Sequence, residues 1–413
     1  MIALLPALGG SLRDLDRTGQ RERVTWEFCR YAEAFDGAIY CSYADEADGF
    51  TGLGGHWATL PAPRSELRWI TALRMVGRHG ACCFATCSVA RVLNFTGVLP
   101  ALIAKHRLGL PFVLQYGYDY DALARRRPRL LRRRGRRLQY AILRAVAFRH
   151  ADALIVTSAM MATKLRVAER YPDLPVHVIP NGVPLWQFWP SPPRRNSPPR
   201  VIYVGRLSPE KNLERLVQAL ALIDPRPTLV LVGDGPSRAV IVTTAKVLGV
   251  TVHMPGAVPY RTVREHLQSA DAFCLPSCSE GSPKALYEAM ACGLPCAVSI
   301  GVPDEAAPAV RFAPSSVDEI RRSVAQALAH ADTLGPAGRA YVEQHHDLGQ
   351  TMAARQLAAG QPQRQLMPSN APQQMQQGQQ AIVTPLPAST GLNVHGVLAQ
   401  LALQDAEAAN MTN

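Results

Sequence analysis

Short apolar runs alternate with amphipathic segments along most of the chain. Runs of about four to eight apolar residues, bounded by glycine, proline or polar residues, predict buried strands. Segments with apolar positions three and four residues apart predict helices between them. Strands that alternate with helices are typical of a parallel sheet wrapped by helices, so the pattern predicts an α/β fold. The predicted strands are Ile2–Leu8, Ala38–Cys41, Ala81–Ala85, Pro111–Tyr116, Ala151–Ser158, Val176–Ile179, Val201–Val204, Thr228–Val232, Val250–His253, Ala272–Leu275 and Cys296–Ser299.

The alternation is interrupted by the segment Pro190–Arg200, which is rich in proline, arginine and serine. This composition is typical of a linker, and strands and helices resume after it. We therefore expect two α/β domains, 1–178 and 179–335, followed by a C-terminal helix at 336–358 that packs back toward the first domain. Residues 359–413 are rich in glutamine and poor in core-forming residues, which predicts a disordered low-complexity tail.

Positive charge is concentrated in one segment. The chain carries 44 Lys and Arg against 32 Asp and Glu, a net charge of +12, which implies an anionic partner. Nine arginines lie between Arg125 and Arg137, directly before the apolar helical pattern of Leu138–Phe148. This run fits either a solvated helix face or a surface that binds anionic lipid. A nucleic-acid partner is not expected, because aromatic residues do not interleave the arginines.

The cysteines and the N-terminus indicate the compartment. Nine cysteines, an odd number without secretory context, predict reduced thiols. Met1–Leu8 lacks the basic start of a signal peptide, and no apolar run approaches the roughly 18 residues of a membrane span. We therefore expect a cytoplasmic protein that contacts the inner membrane face peripherally. The pairs Cys274/Cys278 and Cys292/Cys296 have wider spacing than usual zinc ligands, which favours buried thiols over a metal site.

The segment 278–295 has the pattern of a loop, a helix and a turn. Ser282 is suited to cap the helix, and Pro283 is suited to its first position. Gly293 suits the residue just past the helix end, with Pro295 behind it. The free N–H groups at the start of such a helix attract an anion, which predicts an anion-binding site.

Two carboxylates lie in this segment, Glu280 in the loop and Glu288 inside the helix. Carboxylates on either side of a phosphate-binding helix start would accept the hydroxyls of a sugar nucleotide. The alternative is structural: Lys284 and Glu288 are spaced i,i+4 and form a surface ion pair, and Glu280 is a solvated loop charge. The segment alone leaves both interpretations open.

Three further glycine-rich turns follow predicted strands in the second half of the chain. Together with the segment 278–295, they resemble in order and separation the motifs of the retaining glycosyltransferases of family 4, the group 1 type with the GT-B fold. Each turn alone has a local explanation, whereas their joint occurrence does not. The residues that carry the resemblance are Val204–Asn212, Val232–Pro236, Gly256–Pro259 and Glu280–Pro295.

The resemblance implies two Rossmann-like domains that face each other across a cleft, the first for the acceptor and the second for the donor nucleotide. The donor is then a nucleoside-diphosphate sugar, no metal or other cofactor is needed, and transfer occurs with retention. The acceptor is expected to be a glycan or a lipid-linked molecule at the cytoplasmic membrane face. The alternative is a catalytically inactive scaffold of this fold, or a protein that binds an anionic lipid or nucleic acid.

The resemblance also assigns roles to residues. Arg206 and Lys211 correspond to catalytic cations that hold the donor diphosphate, and Glu280 to the catalytic carboxylate near the reacting carbon. Glu288 corresponds to the carboxylate that accepts both ribose hydroxyls, and Val258 to a backbone contact with the nucleobase. The remaining expected donor-binding residues are Gly205, Gly233, Asp234, Gly281, Ser282, Pro283 and Lys284.

The acceptor side of the cleft departs from the family pattern. Many relatives carry His-Gly at the end of the strand that here ends in Gln115-Tyr116-Gly117, so Asp119 or Asp121 is expected to act in place of the histidine. The turn after the first strand offers glycine backbone that can approach a ligand. The expected acceptor-side residues are Gly9, Gly10, Gly117 and Asp119.

Overall fold

The computed structural model of the protein describes residues 1–46, 57–63, 66–117, 130–191, 196–303 and 306–348. Asp119, residues 125–129 of the arginine run and the glutamine-rich segment lie outside these ranges. Within them the chain forms two parallel β-sheets with flanking helices, which confirms the predicted fold class.

The first sheet contains seven parallel strands in the described part of the chain. They are β1 Ile2–Leu5, β2 Ala38–Cys41, β3 Trp57–Leu60, β4 Val89–Val92, β5 Phe112–Tyr116, β6 Ala153–Val156 and β7 Val176–Val178. Their spatial order is β3-β2-β1-β4-β5-β6-β7. The residues of β1, β5 and β6 are all buried, as expected for parallel strands covered on both faces.

The second sheet contains six parallel strands among the described residues. They are β8 Arg200–Val204, β9 Thr228–Val232, β10 Val252–Gly256, β11 Ala272–Leu275, β12 Cys296–Ser299 and β13 Val310–Phe312. Their spatial order is β10-β9-β8-β11-β12-β13.

The helices lie between the strands along the chain. They are α1 Leu12–Arg17, α2 Arg21–Ala34, α3 Arg68–Phe84, α4 Val98–Leu108, α5 Leu130–His150, α6 Ala159–Leu165, α7 Val167–Arg170, α8 Leu213–Leu220, α9 Arg238–Leu248, α10 Tyr260–Gln268, α11 Lys284–Ala291, α12 Val317–Ala329 and α13 Ala331–His345, with 3-10 turns at Phe95–Gly97 and Pro209–Lys211. No helix in the described ranges has the length and apolar character needed to cross a membrane.

In both sheets the strand order reverses beside the first strand. β1 lies between β2 and β4, and β8 lies between β9 and β11. Such a switch point leaves a crevice at the carboxyl ends of the strands, where ligands bind in open α/β sheets. Gly9 and Gly10 follow β1, and Gly205 follows β8, so the predicted glycine turns lie at both crevices.

The predicted strand Ala81–Ala85 is wrong. These residues continue α3 to Phe84, and the strand is β4, five residues farther along. Arg91 interrupts the apolar run of β4, yet it is fully buried and its Nη2 donates to Gln115 Oε1 at 2.6 Å. Its guanidinium also lies 4.9 Å from the centre of the Tyr31 ring. Because Arg91 breaks the apolar run of β4, the hydrophobic pattern does not predict this strand.

Two edge strands, β3 and β13, are also absent from the predicted set. Each pairs with one neighbour, β3 with β2 and β13 with β12. Edge strands are short and half-covered, so their sequences need no continuous apolar run. The pattern therefore predicts the sheet centres better than the edges.

The C-terminal helix differs from its prediction. It begins at Ala331, ahead of the predicted start at 336, and it packs against α11 of the second sheet. Arg339 Nη1 donates to the carbonyl oxygens of Phe188 and Ala291 at 2.8 Å each. The helix therefore links the segment between the two sheets to α11. Just past its end, His346 Nδ1 lies 2.9 Å from the carbonyl oxygen of Asn181, which follows β7 of the first sheet. Residues 349–358 of the predicted helix lie outside the described residues, so its packing toward the first domain stays a prediction.

Candidate active site

The loops after β8, β9 and β10 are joined by backbone hydrogen bonds. The Gly205 N–H donates to Val232 O at 2.9 Å, and the Gly233 N–H donates to Gly256 O at 2.8 Å. Gly233 has a φ of +128°, and a Cβ there would lie 2.1 Å from Gly205 O, so only glycine fits. The glycine motifs therefore meet at one edge of the second sheet.

Asp234 holds the second of these loops in shape. Its carbonyl oxygen accepts the Leu207 N–H at 3.0 Å, and its Oδ1 accepts the Gly235 N–H at 2.7 Å. The carboxylate is largely exposed and lies 3.9 Å from Arg238 Nη1. These contacts explain the aspartate structurally, and its expected contact with the donor stays a prediction.

Lys211 and Glu280 form an ion pair at this edge. Lys211 Nζ lies 2.7 Å from Glu280 Oε1, and the two side chains are 12% and 8% exposed. The backbone joins the same two loops, because the Cys278 N–H donates to Glu210 O at 3.0 Å. The structure thus brings together two of the three expected catalytic side chains, which are 69 positions apart in sequence.

Arg206 lies in the loop that follows β8 and is partly exposed. Its carbonyl oxygen accepts a hydrogen bond from the Tyr203 hydroxyl at 3.0 Å, which fixes the backbone. Its guanidinium forms no hydrogen bond or ion pair with the described residues. Arg206 therefore offers a positive charge that no residue in the described ranges neutralises.

The start of α11 differs from its prediction. The helix begins at Lys284, and Pro283 is the capping residue with extended backbone instead of the first helical residue. Ser282 does not cap the helix: its Oγ accepts the Asn181 N–H at 3.2 Å, and Asn181 Nδ2 donates to Ser282 O at 2.7 Å. Asn181 follows β7, so a partner 101 residues away overrides the local capping preference.

The end of α11 matches its prediction. Gly293 has a φ of +76°, and its N–H donates to Met290 O at 2.9 Å. The Leu294 N–H donates to Ala289 O at 3.0 Å, which satisfies a second terminal carbonyl.

Glu288 is buried in the second turn of α11. Its Oε1 accepts a hydrogen bond from the Tyr260 hydroxyl at 2.8 Å. Burial raises the pKa of the Glu288 carboxyl, and burial also raises the pKa of Tyr260. The sequence does not identify Tyr260, because it contacts Glu288 from another helix, α10.

Lys284 turns toward the first half of the chain. Its Nζ lies 3.0 Å from Glu27 Oε1 on α2, and the two side chains are 6% and 5% exposed. Burial lowers the pKa of Lys284 to about 8, while the Glu27 carboxylate opposes that shift. The alternative interpretation of Lys284 and Glu288 as a surface ion pair does not hold, since both groups are buried and Lys284 pairs with Glu27.

Helix α2 supplies the other residues that the sequence does not identify. Arg23, Trp26 and Glu27 lie on one face of α2, and the Trp26 ring lies 5.9 Å from the Tyr260 ring. Arg23 lies with its guanidinium carbon 5.7 Å from the same ring. In the sequence, this part of the site is marked only by a tryptophan between charged residues at helical spacing. A solvated helix face would give the same pattern.

Glycines allow the two halves to approach closely. A Cβ on Gly281 would lie 1.8 Å from Gly117 O, and one on Gly19 would lie 2.2 Å from Val258 O. Gly117 directly follows β5 of the first sheet, while Gly281 precedes α11. The expected acceptor-side and donor-side glycines are thus in contact, and the expected nucleobase contact, Val258, lies against the first half of the chain.

The acceptor-side crevice is bordered by the turn after β1. Gly9 has a φ of +85°, and a Cβ there would lie 2.6 Å from Arg68 Cδ. Gly10 packs on Pro6, and Asp119 lies outside the described residues. Next to this turn is a groove of about 520 Å³. Its apolar lining includes Leu8, Leu67, Trp69, Ile70, Tyr140 and Leu143. In the part of the chain that the structure covers, no group of three or more His, Cys, Asp or Glu residues is placed to hold a metal ion.

Two protein-family models match the chain. "Glycosyltransferase Family 4" matches residues 92–187, and "Glycosyl transferases group 1" matches residues 187–335. Together they span 92–335, more than half of the 413 residues. The chain belongs to glycosyltransferase family 4. The resemblance carried by the four motifs is thereby confirmed.

Two curated relatives of this family 4 protein are named as galactosyltransferases. It is 28% identical over 232 residues to the UDP-Gal:alpha-D-GlcNAc-diphosphoundecaprenol alpha-1,3-galactosyltransferase of Escherichia coli, covering 49% of this chain and 55% of that one. It is 30% identical over 127 residues to the lipopolysaccharide 1,6-galactosyltransferase of Salmonella typhimurium strain LT2, covering 29% and 35%. The chain thus spans about half or less of the length of these relatives.

A solved structure superposes on most of the family 4 protein. HepE from Anabaena, in complex with UDP-glucose, superposes with a TM-score of 0.67 at 18% identity, covering 87% of this chain and 99% of that chain. This likeness supports the two-sheet GT-B architecture.

Proposed function

We propose that the protein is a retaining glycosyltransferase, which moves a sugar from a nucleoside diphosphate to a glycan or lipid-linked acceptor at the cytoplasmic membrane face. The observation that carries the proposal is the meeting of the Arg206 loop with the Lys211–Glu280 pair, beside the start of α11. Both features lie at the switch point of the second sheet, where open α/β sheets bind ligands.

The chemistry of the leaving group fits this arrangement. When the bond between the sugar C1 and the phosphate oxygen breaks, its electron pair goes to the diphosphate, which becomes more negative. The Arg206 and Lys211 cations and the N-terminus of α11 would stabilise that charge without a metal. The bond from C1 to the acceptor oxygen forms on the same face, and the acceptor proton passes to the leaving phosphate oxygen. Glu280 would stabilise positive charge at C1.

The nucleoside end of the donor is assigned to Glu288 and Val258. Glu288 would accept the ribose hydroxyls through its carboxylate, and Val258 would contact the base through its backbone. Both residues lie on the second half of the chain and face α2 or the Gly19 turn of the first half, so the nucleoside would bind between the halves.

The proposed location at the membrane is based on the surface of the first half of the chain. Trp69 and Leu73 on α3 and Leu138 and Ile142 on α5 are exposed. Helix α5 begins at Leu130, within the arginine run of 125–137. Apolar side chains beside dense positive charge are typical of surfaces that bind anionic lipid. The Escherichia coli relative is named for a diphosphoundecaprenol acceptor, which supports a lipid-linked acceptor here.

Donor hydrolysis tests the activity. Purified protein is incubated with UDP-, GDP-, dTDP- and ADP-sugars, and release of nucleoside diphosphate is measured. We expect release with one base and, when an acceptor is supplied, a product with the anomeric configuration of the donor by NMR. No release from any donor by the wild-type protein would contradict the proposal, and an inverted product would contradict retention.

Flotation with phosphatidylglycerol vesicles tests the proposed binding to an anionic membrane. The protein is expected to float with these vesicles and to stay behind with neutral phosphatidylcholine. Replacing the arginines of 125–137 with alanine is expected to abolish flotation, because the charge attraction is removed. Unchanged flotation after that replacement would contradict membrane binding through these arginines.

A further inference from the structure

A groove opens on the first half of the chain, where the turn after β1 meets α3 and α5. It holds about 520 Å³, within the range of roughly 300–1,000 Å³ that is usual for small-molecule sites. Residues 66–70 at the start of α3 form one side, and residues 139, 140 and 143 of α5 contribute to the other. The donor chemistry described above uses none of these residues.

The apolar part of the groove is open to solvent. Leu67, Trp69 and Ile70 line it and are exposed, whereas Ala72 and Met75 of the same helix are buried in the core. The exposed side chains are therefore additional to those that hold α3 on the sheet. Large apolar side chains that are exposed together in a concave surface indicate a binding site, since a ligand that covers them removes apolar surface from water.

The part of the groove beside the turn carries a positive charge. Arg68 lies against Gly9, where a Cβ would be 2.6 Å from Arg68 Cδ. The Arg68 guanidinium forms no hydrogen bond or ion pair with the described residues, whereas Arg74 and Arg78, farther along α3, both pair with Glu66. Arg68 is thus available to an anionic group of a ligand, and a guanidinium binds phosphate well.

The turn after β1 lies close to the proposed reaction site. In the first sheet β4 separates β1 from β5, and Gly117, directly after β5, lies against Gly281. Neighbouring strands are about 4.8 Å apart, so the turn is roughly 10 Å across the sheet from this contact. Gly281 follows Glu280, the proposed catalytic carboxylate. A sugar linked to a phosphate at Arg68 can therefore extend toward the cleft while an apolar chain on the same phosphate lies in the groove.

We propose that the groove binds the lipid chain of a lipid-linked acceptor and that Arg68 binds the phosphate that joins this chain to the glycan. The inference rests on the proposed function and narrows its acceptor to a phosphate-linked lipid. Bulk membrane lipid is the competing occupant. It has a separate surface available, because Leu73 and Ile142 are exposed on the same helices and do not line the groove.

The test uses the full chain and isothermal titration calorimetry with farnesyl diphosphate, geranyl diphosphate and inorganic diphosphate, without vesicles. The nucleoside diphosphate identified by the hydrolysis assay is present in excess, so that the donor site is occupied. The wild type is expected to bind farnesyl diphosphate at least about tenfold more tightly than geranyl diphosphate, because a further isoprene unit buries more apolar surface. Inorganic diphosphate is expected to bind most weakly.

Two variants change the two parts of the groove separately. Ile70→Ser makes the apolar part polar and is expected to weaken binding of farnesyl diphosphate about tenfold. Arg68→Gln removes the positive charge and is expected to weaken binding of both prenyl diphosphates about tenfold while keeping the preference for the longer chain. Leu73→Ser is the matched control, since it exchanges an exposed apolar residue of the same helix outside the groove, and it should bind both ligands like the wild type. Thermal unfolding of each variant checks that it is folded.

Several results would overturn the proposal. A wild type without measurable affinity for farnesyl diphosphate would do so, as would affinities that neither Ile70→Ser nor Arg68→Gln changes. Equal losses in Ile70→Ser and Leu73→Ser would assign the chain to the general apolar surface that bulk lipid contacts. Each of these results leaves donor hydrolysis, and hence the proposed function, intact. A protein that binds farnesyl diphosphate in the groove but hydrolyses no donor would instead remove the proposed function, and with it the identification of the ligand as an acceptor.

Discussion

Two buried ion pairs of similar geometry differ in what they join. Lys211–Glu280 spans 2.7 Å and connects two loops of the second sheet, whereas Lys284–Glu27 spans 3.0 Å and connects the second half of the chain to the first. All four side chains are nearly excluded from solvent, so both pairs avoid leaving a buried charge uncompensated. The first pair survives any relative movement of the two halves, and the second exists only while they touch.

The two ion pairs can therefore have different roles in the site. A pair within one half can hold a carboxylate at a fixed place relative to the helix start and Arg206 throughout a reaction cycle. A pair between the halves can report whether the cleft is closed. Variants that break one pair, or that leave both pairs in place, test this separation.

Glu280→Ala is expected to have the largest effect. It removes the carboxylate beside the proposed reacting carbon and leaves Lys211 buried without its partner. Loss of one such electrostatic group is expected to lower kcat by about 10²–10³-fold. Release of nucleoside diphosphate under saturating donor measures this, with Glu214→Gln on the exposed side of α8 as the control. Release by Glu280→Ala at the wild-type rate would remove the assigned role.

Gly281→Ala is expected to disturb the contact between the halves and leave the second sheet intact. The added Cβ would lie 1.8 Å from Gly117 O, so the two backbones must separate. We expect kcat to fall about tenfold, because catalytic groups displaced by even an ångström act poorly. Small-angle X-ray scattering should show a larger radius of gyration for the variant with UDP bound. Ala substitution at Gly109, where nothing lies within 4 Å of the added Cβ, is the control, although its φ of +67° carries its own strain.

Much of the second half could be predicted from the sequence because its determinants are local. Buried central strands need apolar runs, and turns with positive φ or close backbone contacts need glycine, as at Gly233 and Gly293. Both requirements can therefore be recognised within a few residues of the sequence. The same reasoning placed Glu280 near the start of α11, although its partner Lys211 belongs to a different loop.

The missed features depend on contacts between distant parts of the chain. Glu27 meets Lys284 across 257 positions, and Asn181 takes Ser282 away from the cap that local preference assigns to it. Arg91 looks like a surface charge and is buried because Gln115 and Tyr31 accommodate it. In each case a tertiary partner overrides a local preference, and no pattern within a short window contains that partner.

The pH dependence of stability provides a further test of the pair between the two halves. Burial lowers the pKa of Lys284 from 10.5 to about 8. Below pH 8 this lysine is charged in both the folded and unfolded states, and the full cost of burying the charge is present. Between pH 8 and 10.5 the folded form releases the proton first, so the contribution of Lys284 to stability rises with pH.

Lys284→Met is expected to remove this rise. The free energy of unfolding of the wild type minus that of the variant should increase by about 3 kcal/mol at most across this window, at 1.36 kcal/mol per pKa unit. The described charged groups that act on Lys284 include Arg23 and Glu27 from α2 and Glu288 from α11. We expect the proton of Lys284 to dominate the pH dependence of this difference. Urea unfolding at several pH values measures it, and a difference independent of pH would contradict the assignment.

Glu22→Gln is expected to have the smallest effect, although this residue also joins the two halves. Its Oε2 accepts the Arg261 N–H at 3.3 Å in an exposed position at the edge of the α2 contact. Exposed polar contacts contribute little, since water replaces them at low cost, and we expect a change below about 0.5 kcal/mol in stability and below twofold in UDP affinity. Calorimetry on Glu22→Gln beside Glu27→Gln compares two neutralised carboxylates on one helix. Equal losses of UDP affinity in both variants would mean that net charge on α2, and not the buried pair with Lys284, determines how the halves meet.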